Sequence, residues 1–263
     1  MDIIDFHTHA FPDAIAERAM TSLEEGGNIK GFTDGTVRDL LRSMDEGGIT
    51  QSVIASIATR PEQFQPILDW SLAIASARII PFASVHPDAA DPAAEVRAIA
   101  AAGLRGIKMH PYYQDFDLDE ERLFPLYEAL VDTGLLLLMH TGFDLAYART
   151  RKADPVRTTR VVERFPELRL VTSHFLAWED WEEVERHLLG KPVYTDISYA
   201  VQFMEPARAR DLILAHPRDY VLFGTDSPWA DQGALVRFVR SLDLGEAWER
   251  SILSENARRL LGG

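Results

Sequence analysis

The residues with obvious chemical potential in this sequence are its histidines, and their placement is not random. Six of the eight, His7, His9, His86, His110, His140 and His174, stand at or just beyond the end of a short apolar run. One aspartate, Asp226, stands two residues past Gly224 at the end of another such run. Neutral imidazole and carboxylate are ligands that suit zinc, manganese or iron(II). The pair His7-x-His9 at a strand end can present two imidazoles to one ion, and His140 with Asp226 could complete three or four ligands and leave a position for water. Each residue also has a plainer reading. An H-x-H pair arises by chance, His86 before Pro87 reads as structural, and His110 before Pro111 reads equally as a substrate contact or a hydrogen-bonded core residue. His187, within WEEVERHLL, reads as helix surface, and His216 as a helix C-terminal cap, where a cation or donor is favourable. The constellation is more specific than its parts.

Residues so far apart in sequence meet only if the elements between them gather their ends. Eight strand-like runs recur: Ile3–His7, Ser52–Ser56, Ile79–Val85, Gly106–Met109, Leu135–His140, Leu168–Ser173, Val193–Asp196 and Val221–Gly224. Helical patterns lie between them at Thr36–Glu46, Pro92–Ala102, Glu120–Asp132, Pro155–Phe165, Trp178–Leu189 and Pro206–Ala215, with a helical tail from Ala247 to Leu261. Strands alternating with helices imply a parallel sheet with right-handed crossovers. A closed (β/α)8 TIM barrel, single domain over residues 1–263, is preferred to an open doubly wound sheet because the strand count is eight and no GxGxxG fingerprint occurs. In such a barrel all strand C-termini open on one face, where the chemistry sits. Alternation along strands places Asp5, His7 and His9 on one face, as it does Lys108 with His110 and Thr172 with His174, while Phe6, Ile107 and Met109 face the helices.

Composition narrows the classes. The chain has 263 residues, a formal net charge of −14 and no cysteine. No basic stripe exists to neutralise nucleic-acid phosphates, and thiol catalysis, iron–sulfur clusters and disulfides are excluded. The longest strongly apolar run, Leu135–Met139, is far short of a membrane span. The expected partner is a small-molecule substrate, with neither nucleic acid nor membrane. The expected compartment is the cytoplasm, and a homodimer is the association left open. No GxSxG elbow supports a serine hydrolase.

Six segments resemble a known family. IDFHTH (Ile4–His9), GIKMHP (Gly106–Pro111), LLMHTG (Leu137–Gly142), TSH (Thr172–His174), LFGTDSPW (Leu222–Trp229) and ENARRLLG (Glu255–Gly262) are similar to the motifs of the amidohydrolase superfamily. The resemblance is strongest to the amidohydrolase-related branch that includes aminocarboxymuconate-semialdehyde decarboxylase and uncharacterised metal-dependent hydrolases. It implies a (β/α)8 barrel with His7, His9, His140 and Asp226 as metal ligands. It further implies His174 as the strand-six histidine, a metal ligand in some members and an activator of water or substrate in others. Lys108 stands where binuclear members carry a carbamylated lysine; here an ion-pair partner is the alternative. The strand-six motif reads SHFLAW, whereas two glycines more usually follow that histidine.

A divalent ion in that set, zinc by expectation with manganese or iron(II) as alternatives, would bring the pKa of a bound water down to about 7. Asp226 and His174 are the expected catalytic residues: Asp226 to take the water's proton, His174 to hold the water or polarise the attacked carbonyl. The leading expectation is hydrolysis of a small ester, lactone or amide-like substrate. Non-oxidative decarboxylation of a small carboxylic acid is the alternative, and a non-catalytic ligand-binding barrel a third. Substrate contacts are expected from Lys108 on the fourth strand and from residues that follow the strands: His110, Tyr112, Tyr113, Phe143, Arg149, Arg151 and Trp229. Arg149 and Arg151 could clamp a carboxylate, or be solvated loop charges.

Overall fold

The structure is a computed structural model that describes residues 2–262. Among the described residues the order is β1 (Ile4–Thr8), α1 (Asp13–Gly27), α2 (Val37–Gly47), β2 (Gln51–Ala55), α3 (Phe64–Ile74), β3 (Ile79–Phe82), α4 (Pro92–Ala101), β4 (Gly106–Met109), α5 (Phe124–Thr133), β5 (Leu136–Met139), α6 (Pro155–Arg164), β6 (Leu170–Thr172), α7 (Trp181–His187), β7 (Tyr194–Asp196), α8 (Pro206–Ala215), β8 (Val221–Leu222), α9 (Gln232–Ser241), α10 (Glu246–Arg250) and α11 (Asn256–Leu260). All eight expected strands are present: β4 has the expected bounds, β1 and β2 are shifted by one residue, and the other five are shorter than the apolar runs suggest. The chain divides into two compact units: Met1–Ile54 with Ser76–Ile80 and Leu189–Gly263, and Ala55–Ala75 with Pro81–Leu188.

In the first unit β1 pairs in parallel with β2, and the register shifts between Asp5 and Thr8. The last strand lies beside the first. Phe6 N–H donates to the Phe223 carbonyl at 2.8 Å, Asp226 N–H to His7 at 2.7 Å, and His9 N–H to Ser227 at 2.6 Å. β7 and β8 pair in parallel through Thr195–Val221 and Asp196–Leu222. The C-terminal segment is tied to β8: Phe223 N–H donates to Ile252 O, and the Asn256 amide donates to Arg218 O and Val221 O, each at 2.7 Å. The tail is a helix interrupted by a π turn at Ser251–Glu255 rather than one continuous helix.

In the second unit β4, β5 and β6 run parallel and in register. Ala83, just past β3, bridges Ile107. Ile107, Met109, Leu137 and Met139 share a core with Val96 and Ile99 of α4, Leu126, Tyr127 and Leu130 of α5, and Val161 of α6. The expectation that Ile107 and Met109 face helices holds. Helix starts follow local chemistry. Asp91 and Asp154 accept hydrogen bonds from the first-turn amides of α4 and α6, and Pro stands at the start of each.

Three helices escaped the pattern reading. α1 buries only Ala16 and Met20, so its apolar stripe is thin. α3 has no side-chain cap and carries Pro66 in its first turn. α9 had a readable signal in Asp231, whose carboxylate accepts from Ala234 N–H ahead of Leu235, Val236 and Val239. The stretch expected as helix from Trp178 begins at Trp181 instead. The Trp178 backbone is committed to a β-bridge with Gly142. Likewise, α5 starts at Phe124 after a 3-10 turn, Glu121–Leu123.

Candidate metal centre

In the first unit the ends of β1 and β8 bring His7, His9 and Asp226 together, with one potential ligand atom of each within 4.8 Å of the others. His7 Nε2 lies 3.4 Å and His9 Nε2 3.1 Å from Asp226 Oδ1. Ligands bonded to a tetrahedral zinc at 2.0–2.1 Å stand about 3.3 Å apart. These two separations bracket that spacing, and imidazole with carboxylate is the donor chemistry of a borderline divalent ion. The residues present therefore fit a metal.

The orientation of His7 is fixed from behind. Its Nδ1 lies 2.9 Å from Asp196 Oδ2 and 3.1 Å from Ser198 Oγ. A carboxylate only accepts, so Nδ1 carries the proton and the Nε2 lone pair is left on the Asp226 side. Asp196 is in turn held by Ser198, whose amide and hydroxyl donate to Oδ1 at 2.9 and 2.6 Å. Such a carboxylate behind a histidine sets its tautomer and ring direction. Gly224 permits the close approach: a Cβ there would stand 2.9 Å from Asp196 Cβ and 3.0 Å from His7 Cβ. Asp226 itself sits at φ 64°, in the left-handed region.

In the second unit a different group gathers after β4 and β5: His110, His140 and Asp144. His140 Nε2 lies 2.9 Å from the Phe143 carbonyl, so this nitrogen is the donor. Its Nδ1 then accepts from His174 Nε2–H at 3.0 Å. Burial first, then the neighbouring His110 and His174 and the buried Lys108, hold the His140 pKa well below the usual histidine value. His140 is therefore neutral at pH 7, the form that binds metals. The His110 and His140 rings stack at 4.0 Å and 18°. Lone pairs lie in the ring plane, so two near-parallel rings do not converge on one ion. His110 Nε2 instead faces Asp144 Oδ2 at 3.3 Å.

The remaining expected residues are placed as follows. Lys108 is buried on β4. The Tyr112 hydroxyl is shared between the Gly142 and Thr150 carbonyls, and burial pushes its pKa up to about 12. Tyr113 packs on His110 with ring centroids 4.4 Å apart. Arg149 pairs with Glu179 and covers the Phe143 ring at 4.0 Å. Arg151 grips Asp180 with two bonds, at 2.5 and 3.0 Å. A substrate carboxylate would have to displace those partners. Trp229 is half-buried next to the Asp226 turn, its N–H donating to Asp226 O. His86 Nδ1 accepts from Asp88 N–H in a turn, His187 pairs with Glu183 on α7, and His216 follows the last residue of α8 and donates to Val193 O.

Asp5 turns its carboxylate toward Thr225 and Gln232, and the β1 register shifts between Asp5 and Thr8. His174 lies beyond the end of β6 at φ 59°, so strand alternation does not set its direction. Phe175 and Leu176 follow at φ 51° and 73°. Glycine adopts these conformations at least cost; here Phe175 and Leu176 hold them. The sequence reading missed Asp196 and Asp144. Asp196 ends the seventh expected strand, and the rule that selected the histidines would have found it.

The amidohydrolase family model matches residues 4–263, and the chain belongs to the amidohydrolase family. Solved structures share its fold over nearly the whole chain. An uncharacterised TIM-barrel protein, Bb4693, from Bordetella bronchiseptica is 21% identical with a TM-score of 0.78, covering 99% of this chain and 98% of that one. The 5-carboxyvanillate decarboxylase LigW from Sphingomonas paucimobilis is 15% identical with a TM-score of 0.71, covering 99% and 98%. A probable 2-pyrone-4,6-dicarboxylic acid hydrolase from Acinetobacter baumannii is 15% identical with a TM-score of 0.68, covering both chains fully (100% each). The fold is thus the (β/α)8 TIM barrel. Among curated proteins, a dihydroorotase from Ectopseudomonas mendocina (strain ymp) is 32% identical over 101 residues, spanning 35% of this chain and 29% of that protein.

Proposed function

We propose that the protein is a metal-dependent hydrolase of a small ester, lactone or amide-like substrate, with a carboxyl group on that substrate as a further expectation. The observation that carries the reading is the His7–His9–Asp226 group at ion-ligand spacing, with His7 oriented by Asp196. His140 is assigned as the fourth ligand on the family resemblance alone. When bound, a divalent ion, zinc by this reading, supplies Lewis acidity that eases deprotonation of water and polarises a substrate oxygen. The chain's own residues do the rest. Asp226 holds an acceptor oxygen beside that position and takes a proton from the attacking water. His174, whose Nε2–H is donated to His140 Nδ1, is the residue this reading expects to hold the water or polarise the attacked group. Arg149 and Arg151, the expected carboxylate clamp, would exchange Glu179 and Asp180 for the substrate.

The second reading is a metal-dependent carboxy-lyase, favoured by the whole-length likeness in fold to LigW. Incubation with a panel of small carboxylic acids and lactones separates the two: carbon dioxide release marks the lyase, and ring opening or acid production without it marks the hydrolase. The metal reading is tested first. His9→Ala and Asp226→Ala should each lose the ion, by elemental analysis, and at least 100-fold in turnover, with unchanged circular dichroism. His174→Ala should keep most of the metal and lose rate. Full turnover by either ligand variant would contradict the assignment. The cytosol is the compartment this reading expects. Among the described residues no helix is long and apolar enough to cross a membrane.

A further inference from the structure

One fully buried carboxylate in the first unit has a bonding pattern that the metal reading does not use. Asp5 is 0% exposed. Its Oδ1 accepts from His7 N–H at 3.2 Å and from Thr225 N–H at 2.9 Å. Its Oδ2 accepts from the Thr225 hydroxyl at 2.6 Å and from the Gln232 amide at 2.7 Å. The first oxygen thus spans two strand ends: it holds the backbone of His7 itself and the residue directly before Asp226. The Thr225 hydroxyl also accepts from Ser227 N–H at 3.1 Å, so Asp226 is bracketed on both sides by groups that lead back to Asp5. Gln232 ties the same carboxylate to the first turn of α9.

We propose that Asp5 is a positioning residue: its carboxylate holds the backbone of His7 and of Thr225, the residue before Asp226, on either side of the direct Asp226 N–H to His7 O bond, and so presets the metal centre before an ion arrives. This rests on the metal reading above. A purely structural Asp5 would stabilise the fold without changing affinity for the ion. A positioning Asp5 makes affinity depend on it even where the fold persists, with the 10–100-fold scale found for groups that orient metal ligands.

The test is zinc affinity of the stripped full-length protein, by competition with a chromophoric chelator, alongside the melting temperature of the metal-free form. Asp5→Asn should remain folded at 20 °C and bind zinc 10–100-fold more weakly. Thr225→Val, which removes the shortest bond and leaves the carboxylate in place, should weaken binding at least 5-fold; it decides the matter if Asp5→Asn does not fold. Gln232→Leu, which touches neither ligand-bearing strand end, should lower the melting temperature and move affinity less than Thr225→Val. Wild-type affinity in folded Asp5→Asn, or in Thr225→Val, overturns the inference and leaves the metal reading standing. A wild-type protein that takes up no zinc overturns both.

Discussion

The metal reading depends on which nitrogen of each imidazole carries a proton. Asp196 decides this for His7. With Asn at 196 the acceptor becomes an amide that can present either its oxygen or its NH2 group, and Nδ1–H is no longer assured. Asp196→Asn should therefore weaken zinc binding about 10–100-fold with little change in fold, read by chelator competition. Unchanged affinity would remove Asp196 from the account. A second titratable group lies away from the centre. Burial, then the charge of Asp91, raises Glu95 on α4 from 4.5 to about 7, and its Oε2 is buried without a hydrogen-bond partner. A carboxyl whose folded pKa is raised binds its proton more tightly in the native state. Its favourable contribution is complete below about pH 4.5 and is lost as pH rises through about 7. Glu95→Gln should accordingly melt a few degrees higher than wild type at pH 8 and nearly level with it at pH 4.5. An equal shift at both pH values would rule out this charge-burial explanation.

Elements carry these residues, and here the sequence was partly legible. Strands announced themselves because a buried parallel strand is a continuous apolar run; LLLM of β5 is one. The same logic located His140 and Asp226 at strand ends. Alternation does not reach His174, where the chain leaves the strand in left-handed steps, since it applies only to extended backbone. The pattern reading failed for α1 and α3, whose buried faces are too narrow to stand out. The loop after β5 shows how tightly such an exit is built. Trp178 N–H donates to Thr141 O at 2.9 Å and Phe143 N–H to Trp178 O at 3.0 Å, so the segment after β6 is stitched across Gly142. Gly142 has φ +91°, and a Cβ would lie 2.0 Å from Trp178 N. Backbone must move to relieve that clash. Gly142→Ala should cost more than about 3 kcal/mol and lower the melting temperature of the metal-free protein by roughly 6 °C or more. A wild-type melting curve would show that the stitch yields freely.

At the scale of the whole molecule, eight strands alternating with helices were enough to read the barrel class, and whole-length likeness to TIM-barrel structures bears it out. Membership of the amidohydrolase family was legible in six short motifs spread from Ile4 to Gly262. The substrate was not legible, for a physical reason. Ligand motifs sit on strand ends whose geometry the sheet dictates, whereas loops such as 141–154 follow no such pattern, and there two candidate arginines pair with Glu179 and Asp180. With a net charge of −14, the protein's overall field does not draw in an anionic substrate, so any such selectivity must come from local groups. The central claim concerns one ion. A crystal of protein purified without chelator, measured on both sides of the zinc absorption edge, tests it directly. The account predicts an anomalous peak bonded at about 2.0–2.2 Å to His7 Nε2, His9 Nε2 and a carboxylate oxygen of Asp226. A zinc-loaded crystal whose peak lies elsewhere, with His7, His9 and Asp226 unliganded, would contradict it.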